Sequence, residues 1–287
     1  KIIYCSGSGY GESGPYLNKP GQDLLLQGIS GLAKNTGRLS YPPTQLGAGI
    51  ADQLGSLNMV IGILSALHYR NRTGKGQEIK VDLMSALLQH QLQEFVAVLN
   101  LNQEFERPES GVGHPGSGAP FGIYKTKDDY ITIAVASLED LSQILEDEGL
   151  KKYSEGPSGA MGSDLQINKR DEIFHYIENL TKNFTTEILD KKLSEKGCWS
   201  APLKTHKQVY DDPQVKHMNM FTTFYHNNYG EVKTVSPAVK MSETPTKISR
   251  PVPMIGEHGF EILREFGYSD DEIDSFVKNE IMSIEKL

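Results

Sequence analysis

The chain has 287 residues, 23% of them charged, and a formal net charge of −8 at pH 7. This length suits one large domain or two smaller ones. The acidic balance and the lack of clustered Lys and Arg argue against nucleic-acid binding. No run approaches the roughly 18 apolar residues that would cross a membrane, so we expect no membrane association. Cys5 and Cys198 are too few for a disulfide framework and fit a reducing compartment.

The N-terminal part begins with a predicted strand and a glycine-rich loop. Residues 1–5 indicate a short buried strand of an α/β sheet, and residues 6–22 form a loop rich in Gly, Ser and Pro. The loop superficially resembles a dinucleotide-binding fingerprint. However, Pro15 and Pro20 follow where that motif requires a helix, so we reject a Rossmann cofactor loop here.

Two helices and a strand follow. Residues 22–33 predict a short helix, and residues 51–70 predict a long one that is apolar on nearly every side. Such a helix is normally buried all round. Its Gly55 and Gly62 favour close approach, either of a ligand or of a packed neighbouring element. Residues 78–83 alternate as a strand does.

The remainder divides into smaller pieces. A second long helix is predicted over residues 84–100, with a Gln/His-rich face interpreted as solvated or as an interface. We predict a hairpin in 121–135, helices in 137–149 and 169–196, strand-like pieces near 219–225 and 231–240, and C-terminal helices over 256–266 and from Ser269. The predicted domains are 1–111, a small α+β unit over 112–205, and a return crossing with C-terminal helices over 206–287.

Asp52 is the main candidate for chemistry. It is the only acid between Asp23 and Glu78, and it lies where a glycine-rich approach meets the long apolar helix. A helix N-terminus favours an ionised carboxylate, which could then act as a nucleophile toward an activated acyl group. Taken alone, the structural alternative is an N-terminal helix cap. No His/Cys cluster has metal-binding spacing, so we predict no metal site.

Several stretches, in order along almost the whole chain, together resemble one family. They are Ile3–Gly11 with Gly14–Tyr16, Pro20–Gly31, Pro42–Asp52, Gly62 with Thr73–Gln77, Gly113–Pro115 with Ala119–Phe121, Asp211–Val215, Gly256–His258 and Phe266–Ile273. The chain thereby resembles the family III CoA-transferases, also called the CaiB/BaiF family, which include formyl-CoA transferase and carnitine CoA-transferase relatives.

The resemblance implies a fold and a reaction. The implied fold class is α/β, with a Rossmann-like large domain, here incomplete at its N-terminus, and a smaller α+β domain in an interlocked homodimer. The implied reaction moves CoA from an acyl-CoA thioester to a free carboxylic acid. Asp52 would form an aspartyl anhydride and then an aspartyl-CoA thioester. Coenzyme A is a substrate here, and no permanently bound cofactor is implied.

The resemblance also suggests further site residues. The family's glycine-rich loop would here be a lid and oxyanion loop containing Gly111, Gly113, Gly116 and Gly118; the alternative is a flexible linker. Substrate or CoA binding would involve Gly21, Gln22 and His114.

Two departures leave other functions open. Related enzymes that racemise 2-methylacyl-CoA carry a His where this chain has Gln22, and Gln cannot remove an α-proton, so a racemase is the weaker alternative. The resemblance also leads us to expect that the family's N-terminal segment of about a hundred or more residues, with much of the CoA-nucleotide contact, is not included in this chain. A non-catalytic fragment or a subunit that needs a partner chain is therefore a further alternative, and we expect exposed apolar surface. A cytoplasmic location is expected, and a mitochondrial one stays open.

Overall fold

The computed structural model describes residues 1–101, 104–110, 114–154, 163–248 and 250–282. These form two compact units, Lys1–Leu203 and Lys204–Leu287. The division at residues 111 and 205 expected from the sequence stays a prediction.

The first unit contains five described strands and eight α-helices. In chain order they are β1 (Ile3–Ser8), α1 (Asp23–Ile29), α2 (Ile50–Thr73), β2 (Gln77–Asp82), α3 (Leu83–His90), α4 (Leu92–Leu101), β3 (Gly122–Lys125), β4 (Tyr130–Val135), α5 (Leu138–Ile144), α6 (Asp164–Asn168), α7 (Arg170–Thr181), α8 (Thr186–Glu195) and β5 (Trp199–Pro202). Short 3₁₀ turns occur at Ala33–Asn35 and Glu148–Tyr153.

β1 and β2 form a two-stranded parallel sheet. Ile3 lies opposite Gln77 and Ser8 opposite Asp82, and α1 and α2 make the crossover that parallel pairing requires. The prediction that the first strand is buried was wrong, because Ile2 and Tyr4 are largely exposed. Among the described residues each of these strands has a single neighbour, which leaves one edge of each unpaired.

The long helix α2 is not buried all round as predicted. Leu57, Val60, Ile61 and Leu64 are 53–61% exposed, because β1, β2 and α3 cover a different face of the helix. By length and composition alone α2 is also apolar enough to cross a membrane, contrary to the expectation from the sequence. Core helices pass the same test.

The two glycines of α2 serve packing. A β-carbon added to Gly55 would lie 2.6 Å from Leu83 Cδ2, and one added to Gly62 would lie 2.8 Å from Ile79 Cγ2. Both distances are shorter than van der Waals contact, so the side chains of α3 and β2 fit against the helix because these positions lack side chains. Of the two alternatives for Gly55, packing is the one that the structure describes.

The helix predicted over residues 84–100 is interrupted at Gln91. Its side chain is buried and donates from Nε2 to Ser30 O and Leu87 O, at 3.3 Å each. The expectation of a solvated or interface face was therefore wrong for Gln91, which ties α3 to the end of α1.

A three-stranded antiparallel sheet with order β3-β4-β5 supports the larger core. The hairpin of β3 and β4 was predicted, and β5 was not. The sheet packs with α5, α7 and α8 around a cluster of buried side chains. The members of this cluster are Ala119, Tyr124, Ile131, Ile133, Leu138, Leu141, Ile144, Leu145, Leu150, Tyr153, Ile173, Phe174, Ile177, Leu189 and Leu193.

The second unit is described by itself. It contains α9 (His206–Asp211), α10 (Pro213–His217), β6 (Phe221–His226), β7 (Gly230–Val235), α11 (Gly259–Glu265) and α12 (Asp270–Lys278). β6 and β7 form an antiparallel hairpin near the two predicted strand-like pieces. Ser269 and Glu272 make the predicted capping box at the start of α12.

Candidate active site

The start of α2 is shaped by a tight turn. Ile50 N donates to Ala48 O at 2.9 Å, and Gly49 between them has φ −73° and ψ 69°, the values of an inverse γ-turn. Gly49 occupies the cap position and has no side chain, so it cannot cap the helix with a side-chain oxygen. The first N–H groups of an α-helix have no intrahelical partner. The acceptor for them must therefore come from another residue.

Asp52 lies in the first turn of α2 and is exposed. Its carboxylate has no hydrogen bond or ion pair within the described part of the chain. The alternative interpretation of Asp52 as the helix cap is therefore wrong. A β-carbon placed on Gly49 would lie 3.7 Å from Asp52 Oδ2, so the Asp52 carboxylate lies next to the glycine turn.

The cap of α2 comes from Asp23, in the first turn of α1. Asp23 is 8% exposed, and its Oδ1 accepts a hydrogen bond from Ala51 N at 2.7 Å. Its Oδ2 accepts one from Gln27 Nε2 at 2.6 Å. Sequence reasoning missed this role, because Asp23 and Ala51 are 28 positions apart in the sequence and no local signal shows that they meet.

Gly21 and Gln22 serve the entry into α1. A β-carbon on Gly21 would overlap the Cα of Gly9, so the glycine-rich loop and the start of α1 pack backbone to backbone. Gln22 Oε1 accepts a hydrogen bond from Leu24 N at 3.1 Å and so caps α1. These contacts explain both residues structurally, and their predicted substrate or CoA binding stays a prediction.

His114 is held by three neighbours. Its Nδ1 accepts from Gly116 N at 3.0 Å, its Nε2 lies 2.7 Å from Glu94 Oε1, and its ring packs edge-on to Phe105. Because Nδ1 accepts a hydrogen bond, it carries no hydrogen itself, so the ring hydrogen lies on Nε2 and is donated to Glu94. Both ring nitrogens are therefore occupied.

The glycine-rich segment is described only in part. Gly111 and Gly113 lie outside the described residues. The amide of Gly116 already donates to His114. A β-carbon on Gly118 would lie 2.7 Å from the backbone carbon of Gln166, so Gly118 packs tightly against α6.

Two residues at the start of α7 hold the chain on both sides of this segment. Asp171 accepts from Glu109 N at 3.1 Å and from Ser110 N at 2.8 Å, and the Arg170 guanidinium donates to Pro115 O. Burial raises the pKa of Asp171, but the hydrogen bonds from Ser110 and Glu109 outweigh it and leave that pKa below its ordinary value. No pattern in the sequence predicted these contacts of Arg170 and Asp171.

In the part of the chain that the structure describes, no three His, Cys, Asp or Glu side chains form a group that could hold a metal ion.

Comparison with known proteins gives consistent matches. A family model described as CoA-transferase family III matches residues 1–259. The succinyl-CoA:glutarate CoA-transferase of Homo sapiens is 30% identical over 276 residues, which cover 94% of this chain and 61% of the relative. The formyl-CoA:oxalate CoA-transferase of Streptomyces coelicolor is 28% identical over 291 residues, or 95% of this chain and 69% of the relative.

A solved structure agrees. The crystal structure of a CaiB/BaiF family protein from Brucella suis has a TM-score of 0.75 and 29% sequence identity, and the match covers 92% of this chain and 68% of that one. This chain spans about 61% of the length of the human relative. The order of motifs along the sequence, the family match over residues 1–259 and this structural similarity show that the chain belongs to CoA-transferase family III.

Proposed function

We propose that this chain takes part in moving CoA from an acyl-CoA thioester to a free carboxylic acid, with Asp52 as the nucleophile. The observation that carries the proposal is the division of labour at the start of α2. Asp23 caps the helix through Ala51 N, while the Asp52 carboxylate is exposed and free of hydrogen bonds among the described residues. Asp52 is thus not required for capping and is open to an electrophile.

The chemistry proceeds in two matched halves. An Asp52 oxygen attacks the thioester carbonyl, the carbon–sulfur bond breaks, and CoA thiolate leaves an aspartyl–acyl anhydride. The thiolate attacks the Asp52 carbonyl carbon, which releases the first acid and gives an aspartyl-CoA thioester. The second acid attacks the same carbon and expels the thiolate. The thiolate then takes the new acyl group and frees the Asp52 carboxylate.

The position of Asp52 in the first turn suits this cycle. Its carboxylate is the leaving group of the last step, and the positive end of a helix dipole stabilises an anion there. α2 has 24 residues, so its peptide dipoles add over many turns. The dipole acts only near the helix end, which is where Asp52 lies.

The oxyanion of each tetrahedral intermediate needs N–H donors, which we assign to the segment containing Gly111, Gly113 and Gly118. Gly116 was also predicted for this role. Its amide already donates to His114 in this conformation. We therefore propose only the other three glycines as N–H donors to the oxyanion. No permanently bound cofactor is part of the scheme.

The finer architecture belongs to the same proposal. A Rossmann-like large domain, a smaller α+β domain and an interlocked homodimer are part of it, and membership of the family supports them. A cytoplasmic location, with a mitochondrial one as the alternative, stays a prediction. The exposed apolar face of α2 is consistent with association.

The names of the relatives guide the choice of acids. They pair CoA with succinate and glutarate, with formate and oxalate, and with succinate and D-citramalate. We therefore propose a small dicarboxylic acid as at least one of the two acids exchanged.

The test measures CoA exchange between succinyl-CoA and a panel of dicarboxylates, on this chain and on a product that includes its flanking coding sequence. Asp52→Ala and Asp52→Asn should abolish exchange and leave the melting temperature nearly unchanged, because the carboxylate makes no described contact. The matched control is Asp82→Ala. Asp82 is also an acid at a helix start, but it caps α3 through Ser85 N at 2.7 Å. The control should lose about 1 kcal/mol of stability and keep exchange.

Full exchange in both Asp52 variants would overturn the proposal. The racemase alternative predicts instead that deuterium enters the α-carbon of a branched acyl-CoA without any second acid. No observation here favours it, because Gln22 has no ionisable group and its side chain caps α1. An absence of exchange from every folded product would favour a non-catalytic role.

A further inference from the structure

The carboxylate of Asp23 is buried, and both of its oxygens are used. Oδ1 accepts from Ala51 N at 2.7 Å and Oδ2 accepts from Gln27 Nε2 at 2.6 Å. A buried carboxylate is costly unless its oxygens are satisfied by hydrogen bonds. An uncharged Ser, Thr or Asn could cap the same helix without the free-energy cost of burying a charge. Capping alone therefore does not explain why residue 23 is an acid.

Gln27 extends the contact to the chain that leads into α2. It is fully buried, its Oε1 accepts from Leu46 N at 2.9 Å, and its Nε2 lies 3.5 Å from Ala48 O. One side chain therefore fixes the segment from Leu46 to Ala48, and Asp23 fixes the first turn of the helix. A β-carbon on Gly49, between the two held points, would lie 4.0 Å from Asp23 Cγ and 3.7 Å from Asp52 Oδ2.

We propose that Asp23 and Gln27 are positioning residues that hold the Gly49 turn and the first turn of α2, and thereby set the place of the Asp52 carboxylate for attack on the thioester. This inference rests on the proposed function of Asp52. Neither residue need touch the reacting atoms. Both act through the backbone on which Asp52 is mounted, since misplacing a reacting group by about 1 Å can cost about a hundredfold in rate.

The hydrogen bonds have a fixed direction. The donors are Ala51 N–H, the Gln27 amide and Leu46 N–H, so residue 23 must accept twice and residue 27 must donate toward it while accepting from Leu46. Asp23→Asn places an amide donor against the Gln27 donor. If the Gln27 amide then turned over, it would present a donor to Leu46 N–H. Gln27→Glu places two carboxylates face to face, which like charges disfavour.

Because each hydrogen bond has a fixed direction, a double variant can restore the pattern that each single variant breaks. In the double variant Asp23→Asn with Gln27→Glu, the residue at 23 still accepts from Ala51 N and donates to the new carboxylate at 27, which accepts from Leu46 N. Charge and size are conserved. The weak 3.5 Å approach of Gln27 Nε2 to Ala48 O is the one contact the exchange does not restore, so we expect recovery to within about threefold of the parent kcat.

The experiment measures kcat and KM for CoA exchange, and the rate at which Asp52 is converted to its CoA adduct, well below the melting temperature. Each single variant should lower kcat and the adduct rate by at least about tenfold with little change in KM, and the double variant should recover both. Ser30→Ala is the control. Ser30 is buried at the end of α1 and its hydroxyl contacts Gln27 O, so this change should affect stability and leave kcat within about twofold.

Two outcomes would overturn the inference. One is unchanged kcat in both single variants while Asp52→Asn is inactive. The other is a loss of kcat in the singles that the folded double variant does not recover. If Asp52→Asn itself retains exchange, the proposed function fails instead, so the two failures can be told apart.

Discussion

The two hydrophobic clusters of the first unit differ in size and completeness. The cluster around β3, β4, α5, α7 and α8 has fifteen buried members among the described residues. The cluster beneath the start of α2 has five, namely Leu26, Ala51, Leu54, Ala86 and Leu87. The smaller cluster borders the exposed apolar face of α2, whereas the larger one is covered by helices and a sheet.

The two regions therefore differ in what holds their helices and strands in place: apolar packing in one, and polar contacts in the other. The larger cluster fixes its elements by apolar burial, which is the main driving force of folding. The start of α2 has little such burial, and its position depends on a few directed hydrogen bonds from α1. We therefore expect the position of the Asp52 carboxylate to depend more on the hydrogen bonds of Asp23 and Gln27 than on apolar contacts.

The largest expected difference in stability is between a core aromatic residue and an exposed leucine of α2. Phe174 is 2% exposed and stacks on Tyr124 with 4.7 Å between ring centroids. Phe174→Ala should lower the free energy of unfolding by about 3–5 kcal/mol. Leu64→Ala removes a side chain that is 61% exposed and should change it by less than about 0.5 kcal/mol. Urea unfolding followed by circular dichroism measures both, and similar losses would contradict the comparison.

A smaller effect is expected within the minor cluster, where α1 supplies its own control. Leu26 is fully buried, and Leu24, two residues away, is 49% exposed. Leu26→Ala should lower the free energy of unfolding by about 2–3 kcal/mol. It should also lower the rate of Asp52 adduct formation, because it removes apolar packing between α1 and the start of α2. Leu24→Ala should do neither. A loss of stability without any change in the adduct rate would show that the apolar contact does not help to position Asp52.

The smallest effect concerns Asp171, which links α7 to the chain before the glycine segment. Its pKa is below the ordinary value in the folded state, so its stabilising effect is present above the unfolded pKa of about 3.9 and is lost as pH falls through the lower folded pKa. Asp171→Asn should lower stability by about 1 kcal/mol at neutral pH. The difference from the parent should begin to shrink as the pH falls below about 3.9. Melting temperatures between pH 3 and 7 measure this, and a constant difference across that range would contradict it.

Local signals in the sequence predicted local structure well. The capping box of Ser269 and Glu272, the β3–β4 hairpin and the extent of α2 follow from short-range patterns, and all three are present. β5 was missed because it has four residues and pairs with β4 about seventy positions earlier. Apolar periodicity in α2 identified a long helix, but it does not reveal what covers each face.

The candidate site divides in the same way. Asp52 was found because an isolated acid after a glycine-rich approach is visible in the sequence and the family motifs coincide with it. Asp23 and Gln27 were missed as a pair that holds α2, because their contacts depend on how residues 30–49 return the chain to α1. A pattern of residue types does not encode such a contact between distant positions.

The proposed role of Asp52 as nucleophile is tested most directly by mass spectrometry of the protein after it is mixed with succinyl-CoA in the absence of an acceptor acid. If Asp52 is the nucleophile, a CoA-sized mass increase appears on the peptide that contains Asp52; it is released by an added dicarboxylate and is absent in Asp52→Asn. A CoA adduct that persists in Asp52→Asn, or new acyl-CoA formed by that variant at the parent rate, would contradict it.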